Sequence, residues 1–152
     1  MPTTTLEARE QIISDLGAAT VQIGFAVGCL GAAYELLDEV TADRLESELF
    51  RPAQRAFAKA RHASGGFAER YGLSPSTREA PSPGLASQGV KALVEKAITA
   101  STEGSRRIAE LQDSMLPIEA GDAELRAALA ETRELVDQLA SPAREFLRTL
   151  GR

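Results

Sequence analysis

Four glycines, Gly17, Gly24, Gly28 and Gly31, stand inside a stretch from Leu16 to Tyr34 that carries no charged side chain. A glycine in a helix interior costs about 0.8–1.0 kcal/mol against alanine, so a helical stretch that keeps four of them has a use for bare backbone, and close contact is that use. At about 100° per residue the four fall in a sector of roughly 60°. Ile12, Leu16, Ile23, Val27, Leu30, Tyr34 and Leu37 occupy the sector beside it, while Val21, Phe25 and Cys29 lie away from both. A helix apolar nearly all round must be surrounded, by its own bundle or by a second copy of the chain. The pattern therefore predicts a long central helix over about 5–40.

The same stretch approaches the length of a membrane span. It nevertheless contains Thr20, Gln22 and the glycines, and it is flanked by Asp15 and Glu35 rather than by Lys or Arg. A buried helix and no membrane are expected. Met1 to Thr5 lacks the basic start of a secretory signal. One cysteine, Cys29, excludes an intrachain disulfide and a multi-cysteine metal site, which suits a reducing, cytoplasmic setting. The net charge of −5 gives no general attraction to nucleic acid.

A chain of 152 residues, rich in Ala, Leu, Glu and Arg and without Trp, fits one all-α domain. Thr41 reads as the cap of a second helix over 41–71, whose apolar period from Leu45 to Tyr71 runs through Pro52 and through Gly65-Gly66, with a kink near Pro52. Gly72, Leu73 and Pro75 form a helix stop. Residues 74–84, with Pro75, Pro81 and Pro83 and no apolar period, read as a flexible connection. A third helix is expected over 85–116 and a fourth over 122–150, capped by Asp122 and kinked or briefly broken at Ser141-Pro142. Four such helices predict an antiparallel four-helix bundle, with up-down-up-down as the simplest order.

In that order Gly24 and Gly28 lie level with Ser101 and Gly104 of the third helix and with Phe57 of the second. Either phenylalanine rings fill the space the glycines leave, or these five residues line an apolar ligand pocket in the bundle core. The segment Phe50 to Ala68 holds Arg51, Arg55, Lys59, Arg61 and His62 without an acid. Arg51, Arg55, Lys59 and His62 share one outward stripe, continued back by Arg44. Such a ridge is either a solvated face paired with acids such as Glu131 and Glu134, or a docking site for an acidic protein or anionic ligand. No aromatic residues interleave it for base stacking, so nucleic acid is not an expected partner.

A di-metal bundle needs two inward Glu-x-x-His motifs, whereas the single histidine, His62, follows Lys59 at that spacing and points off the apolar face. A haem held by His62 and Met115 fails for the same reason. Cys29 has no base or cation on its helix to activate it, and no nucleophilic triad, phosphate loop or zinc spacing is present. The expectation is a non-enzymatic bundle without cofactor or metal, acting through protein contacts and self-associating as a dimer. The alternative is a small-ligand binder, and a metal-binding or enzymatic bundle comes third.

Overall fold

The computed structural model describes residues 4–84 and 86–150, and every regular element in it is helical. Helix α1 (Thr5–Tyr34) opens on a capping box, in which Thr4 Oγ1 accepts from the Glu7 amide at 3.0 Å and the Glu7 carboxylate accepts from the Thr4 amide at 3.3 Å. It ends short of the expected Val40 because Asp38 starts a new helix. Asp38 Oδ2 accepts from the Thr41 amide at 3.2 Å, so Asp38 rather than Thr41 caps α2 (Glu39–Leu45).

Helix α2 passes through one wide π-type turn, Glu46–Phe50, into α3 (Arg51–Arg70). Pro52 has no amide hydrogen for the carbonyl four residues back, and just before it the Arg51 amide reaches five back to Glu46. The wide turn falls at the place where the kink near Pro52 was expected. Gly65 and Gly66 stay helical. The stop at Gly72 (φ 64°) is a Schellman motif, with the Leu73 amide bonded to Ala68 O at 2.8 Å and the Gly72 amide to Glu69 O at 3.3 Å.

A 3-10 turn (Ala86–Gln88) precedes α4 (Val90–Asp113), and Leu85, the expected start of the third helix, lies outside the described residues. One turn, α5 (Leu116–Glu119), leads to α6 (Ala123–Asp137), which Asp122 caps as expected through the Leu125 amide at 2.7 Å. The break before α7 (Ala140–Leu150) falls slightly ahead of Ser141-Pro142. Pro142 then sits in the first turn of α7, where an amide donor is not needed.

Helix α1 packs against α3 and α4, and α6 packs against the same two. Gly104 of α4 meets Ile23 and Ala19 of α1, while Arg9 near the start of α1 donates to Ala120 O beyond the end of α4 at 3.0 Å. Helices α1 and α4 are therefore antiparallel. Ion pairs Lys59–Glu131 and Arg70–Asp122 likewise set α6 antiparallel to α3. All neighbours run antiparallel, as expected of the bundle, but the chain order is up, down, down, up, because α3 and α4 are parallel and lie across the diagonal. The core forms two apolar clusters. The lower one surrounds Ile12, Leu16, Phe67, Ile108 and Leu125, and the upper one surrounds Leu30, Leu45, Leu49, Leu93 and Phe146.

This order obliges the link between α3 and α4 to travel the length of the bundle. Residues 74–84, expected as a flexible connection, form an extended strap laid along the glycine face of α1. A Cβ on Gly17 would stand 2.5 Å from Ser76 Oγ, one on Gly24 would stand 2.8 Å from the Phe57 ring and 3.5 Å from Ala80, and one on Gly28 would stand 3.9 Å from Pro83. Gly31 faces Phe50. The stripe thus receives the strap and two aromatic rings, whereas the contact of α1 with α4 at Gly104 is made by Ala19 and Ile23.

Candidate functional site

The basic ridge is only partly free. Arg44 donates to Thr149 Oγ1 at 2.9 Å, lies 5.0 Å from the Phe146 ring centroid and pairs with Glu48 at 3.5 Å, so it ties the second helix to α7. Lys59 pairs with Glu131 at 2.6 Å, one of the acids expected to neutralise the ridge. Arg51 stands 3.7 Å from Glu46. Arg55 and His62 are exposed, and among the described residues neither has a carboxylate within ion-pair distance.

The five residues of the alternative core pocket are divided between two faces of α1. Gly24, Gly28 and Phe57 stand on the strap side, with Phe57 in the space that Gly24 leaves. Ser101 and Gly104 stand on the α4 side, where the Ser101 hydroxyl donates to Ala97 O at 2.8 Å and Gly104 packs on Ile23.

A groove instead opens between α1, α3 and the strap. Its volume is about 560 Å³, and its lining includes Gly17, Val21, Phe57, Arg61, Ser64 and Gly65 from the helices and Pro75 to Ala80 from the strap. Helix α3 supplies one wall because Phe57, Arg61, Ser64 and Gly65 recur every three or four residues on the side facing α1. Ser64 is 7% exposed and forms no hydrogen bond among the described residues, unlike the buried Ser101 and Thr132, whose hydroxyls donate to the carbonyl four residues back. No side-chain polar atom of the described residues is both sealed from solvent and unbonded, so the Ser64 hydroxyl opens onto the groove. The Arg61 guanidinium lies 5.6 Å from the Phe57 ring centroid, and Arg78 donates to Ser14 Oγ at 3.3 Å. Glu79 is the one acid in the lining.

Phe57 is the only member of this groove that the sequence pattern singled out for a pocket. Arg61 was visible as a cation but falls off the outward stripe, and its angular position on α3 is the signal that would have separated it. Ser64, Ser76, Thr77 and Arg78 carried no signal without knowledge of where the strap runs.

The strongest polar cluster lies at the lower end. Asp122 accepts from Arg70 Nε at 2.8 Å and Nη2 at 2.9 Å, from the Tyr71 hydroxyl at 2.8 Å and from the Leu125 amide. Arg70 above all holds its carboxyl down, from the ordinary 3.8 to about 2. Arg9 stacks 3.9 Å from the Tyr71 ring centroid. These contacts join α1, α3 and α6, and the Asp122 carboxylate is engaged by groups of the protein itself. Burial pushes the Cys29 thiol up, with Lys96 acting weakly against it. Among the described residues no three His, Cys, Asp or Glu side chains gather as a metal site.

By fold the protein is an antiparallel four-helix bundle with a diagonal strap. No family model matches the chain, and comparison with curated proteins and with solved structures finds no relative. Helix α1 is long and apolar enough to cross a membrane by length and composition alone; it packs against α3, α4 and the strap, with 44% of its apolar window buried.

Proposed function

We propose that the protein is a binding module rather than a catalyst and that it takes a small organic molecule in the strap groove. The observation that carries this reading is the Ser64 hydroxyl, which has no hydrogen-bond partner among the described residues and opens onto a groove of about 560 Å³ walled by Phe57 and Val21. Ligand sites commonly measure about 300–1,000 Å³ and set a few polar groups in an apolar wall. The groove takes the place of the core pocket in the alternative, small-ligand reading of the sequence, and we prefer that alternative to the reading through protein contacts. Gly65 gives the test, because it lines the groove and a Cβ there meets nothing within 4 Å. Gly65→Phe should occupy the groove, and an unchanged melting temperature of the unliganded variant checks that the core is intact. Fragments that raise the melting temperature of the wild type should lose that effect in Gly65→Phe. Hits that survive the substitution refute the site.

Arg55 and His62 favour a second reading, in which the reduced ridge docks an acidic protein. Joint replacement of Arg51 and Arg55 by Gln should weaken a salt-sensitive complex without lowering the melting temperature. A partner that binds the double variant as tightly as wild type removes the ridge from consideration.

A further inference from the structure

We infer that the molecule held in the strap groove carries a carboxylate or phosphate, gripped between Arg61 of α3 and Arg78 of the strap. This rests on the groove being the binding site. Three other cations of α3 find acids, Arg51 at Glu46, Lys59 at Glu131 and Arg70 at Asp122, while Arg55 points to solvent away from the groove. Arg61 and Arg78 form no ion pair among the described residues, and both line the groove. Their recorded partners are neutral. Arg61 rests over the Phe57 ring and Arg78 on the Ser14 hydroxyl, so each guanidinium is positioned while its charge stays uncompensated. With Glu79 as the one acid, the lining carries a net positive charge.

A guanidinium offers a planar fork that matches the two oxygens of a carboxylate or phosphate. The Ser64 hydroxyl supplies a further donor from the helix wall, and the Phe57 ring supplies an apolar surface for the body of the molecule. Arg78 belongs to a different part of the chain from Arg61, so the anion bridges strap and bundle. Among the described residues the strap backbone from Ser74 to Ser82 makes no hydrogen bond to a helix. Binding therefore fastens a segment otherwise seated by the Arg78–Ser14 hydrogen bond and by the fit of its side chains over Gly17 and Gly24.

Calorimetry on the full chain with phenyl phosphate, benzoate and the neutral benzyl alcohol tests this. One or both anions should bind more tightly than benzyl alcohol, and the comparison of the two anions separates phosphate from carboxylate. Arg61→Gln and Arg78→Gln should each weaken that binding about tenfold or more, as expected for a lost charge-assisted bond, with unchanged melting temperatures. Hydrogen exchange over residues 74–82 should slow when the anion binds. Benzyl alcohol binding equally well, insensitive to both arginine variants and abolished by Gly65→Phe, overturns the anion while leaving the groove in place. Binding that survives Gly65→Phe, or no binding of any probe at millimolar concentration, overturns both.

Discussion

Replacing Asp122 by Asn should loosen the lower end of the bundle by an amount that can be worked out from its contacts. The carboxylate accepts from Arg70, Tyr71 and the Leu125 amide, and its pKa is held at about 2 against an ordinary 3.8. Each tenfold change in proton affinity is worth about 1.4 kcal/mol, which sets an upper limit of about 2.5 kcal/mol. The Asp122 and Arg70 side chains are 24% and 31% exposed, so solvent screening brings the contribution to about 1–2 kcal/mol. Asn keeps an oxygen for the Leu125 amide and caps about as well as Asp; charge is what the substitution removes. The expected loss at pH 7 is about 1–2 kcal/mol, or roughly 2–8 °C in Tm for a chain of this size. Asp122→Ala should lose about 1 kcal/mol more with the cap. The sign with pH follows from the lowered pKa. The stabilisation is complete above the ordinary value near 4 and disappears as pH falls through about 2. Urea unfolding should therefore show a constant gap between wild type and Asn variant from pH 5 to 8, closing between about pH 4 and 2. Equal midpoints at pH 7, or a gap that persists at pH 2, would refute the reasoning.

Two glycines of the bundle should respond with opposite signs. Gly65→Ala meets open space and should raise the urea midpoint by the equivalent of about 0.8–1.0 kcal/mol. Gly104→Ala sets a Cβ 3.1 Å from Ile23 Cγ1 and 3.4 Å from Ala19 O, and overpacking of about 1–3 kcal/mol should outweigh that gain; shifts of the same sign would contradict the packing described. Gly17→Ala displaces Ser76 and should speed tryptic cleavage after Arg78, so an unchanged rate would mean the strap is not seated there. Cys29 is fully buried with its thiol pKa raised, and a thiol reagent should label it only as fast as the protein opens.

The helices were legible because their signals are local. The apolar period through Gly65-Gly66, the stop at Gly72 and the Asp122 cap each depend on residues within one or two turns. Thr41 was misplaced as a cap because Asp38 and Thr41 are both good capping residues at neighbouring positions, and the termination of α1 at Tyr34 decided between them. The glycine stripe was legible as a demand for close approach, and phenylalanine rings as part of its fill, since Phe57 and Phe50 face Gly24 and Gly31; the strap over Gly17 and Gly28 was not. A segment such as 74–84, without apolar period, looks the same in sequence whether it hangs in solvent or lies in a notch. The groove was hidden for the same reason. Its walls come from Gly17, Arg61 and Arg78, which only the diagonal course of the chain brings to one side.

That diagonal course also decides how the molecule would carry a load. In an up-down-up-down bundle both ends of the chain emerge at one pole, and a pull on them peels the helices apart one contact at a time. Here Thr4 stands at the lower pole, where Arg9 reaches Ala120, and α7 finishes at the upper pole, where Thr149 meets Arg44. At about 1.5 Å of rise per residue these poles lie roughly 45 Å apart along α1. Tension between them acts along the helix axes, so α1 on one side and α6 with α7 on the other must slide past α3 and α4 together. A bundle held in this way should resist stretching as a short strut, with the rate of unfolding under force governed by the simultaneous rupture of both apolar clusters rather than by fraying at one end.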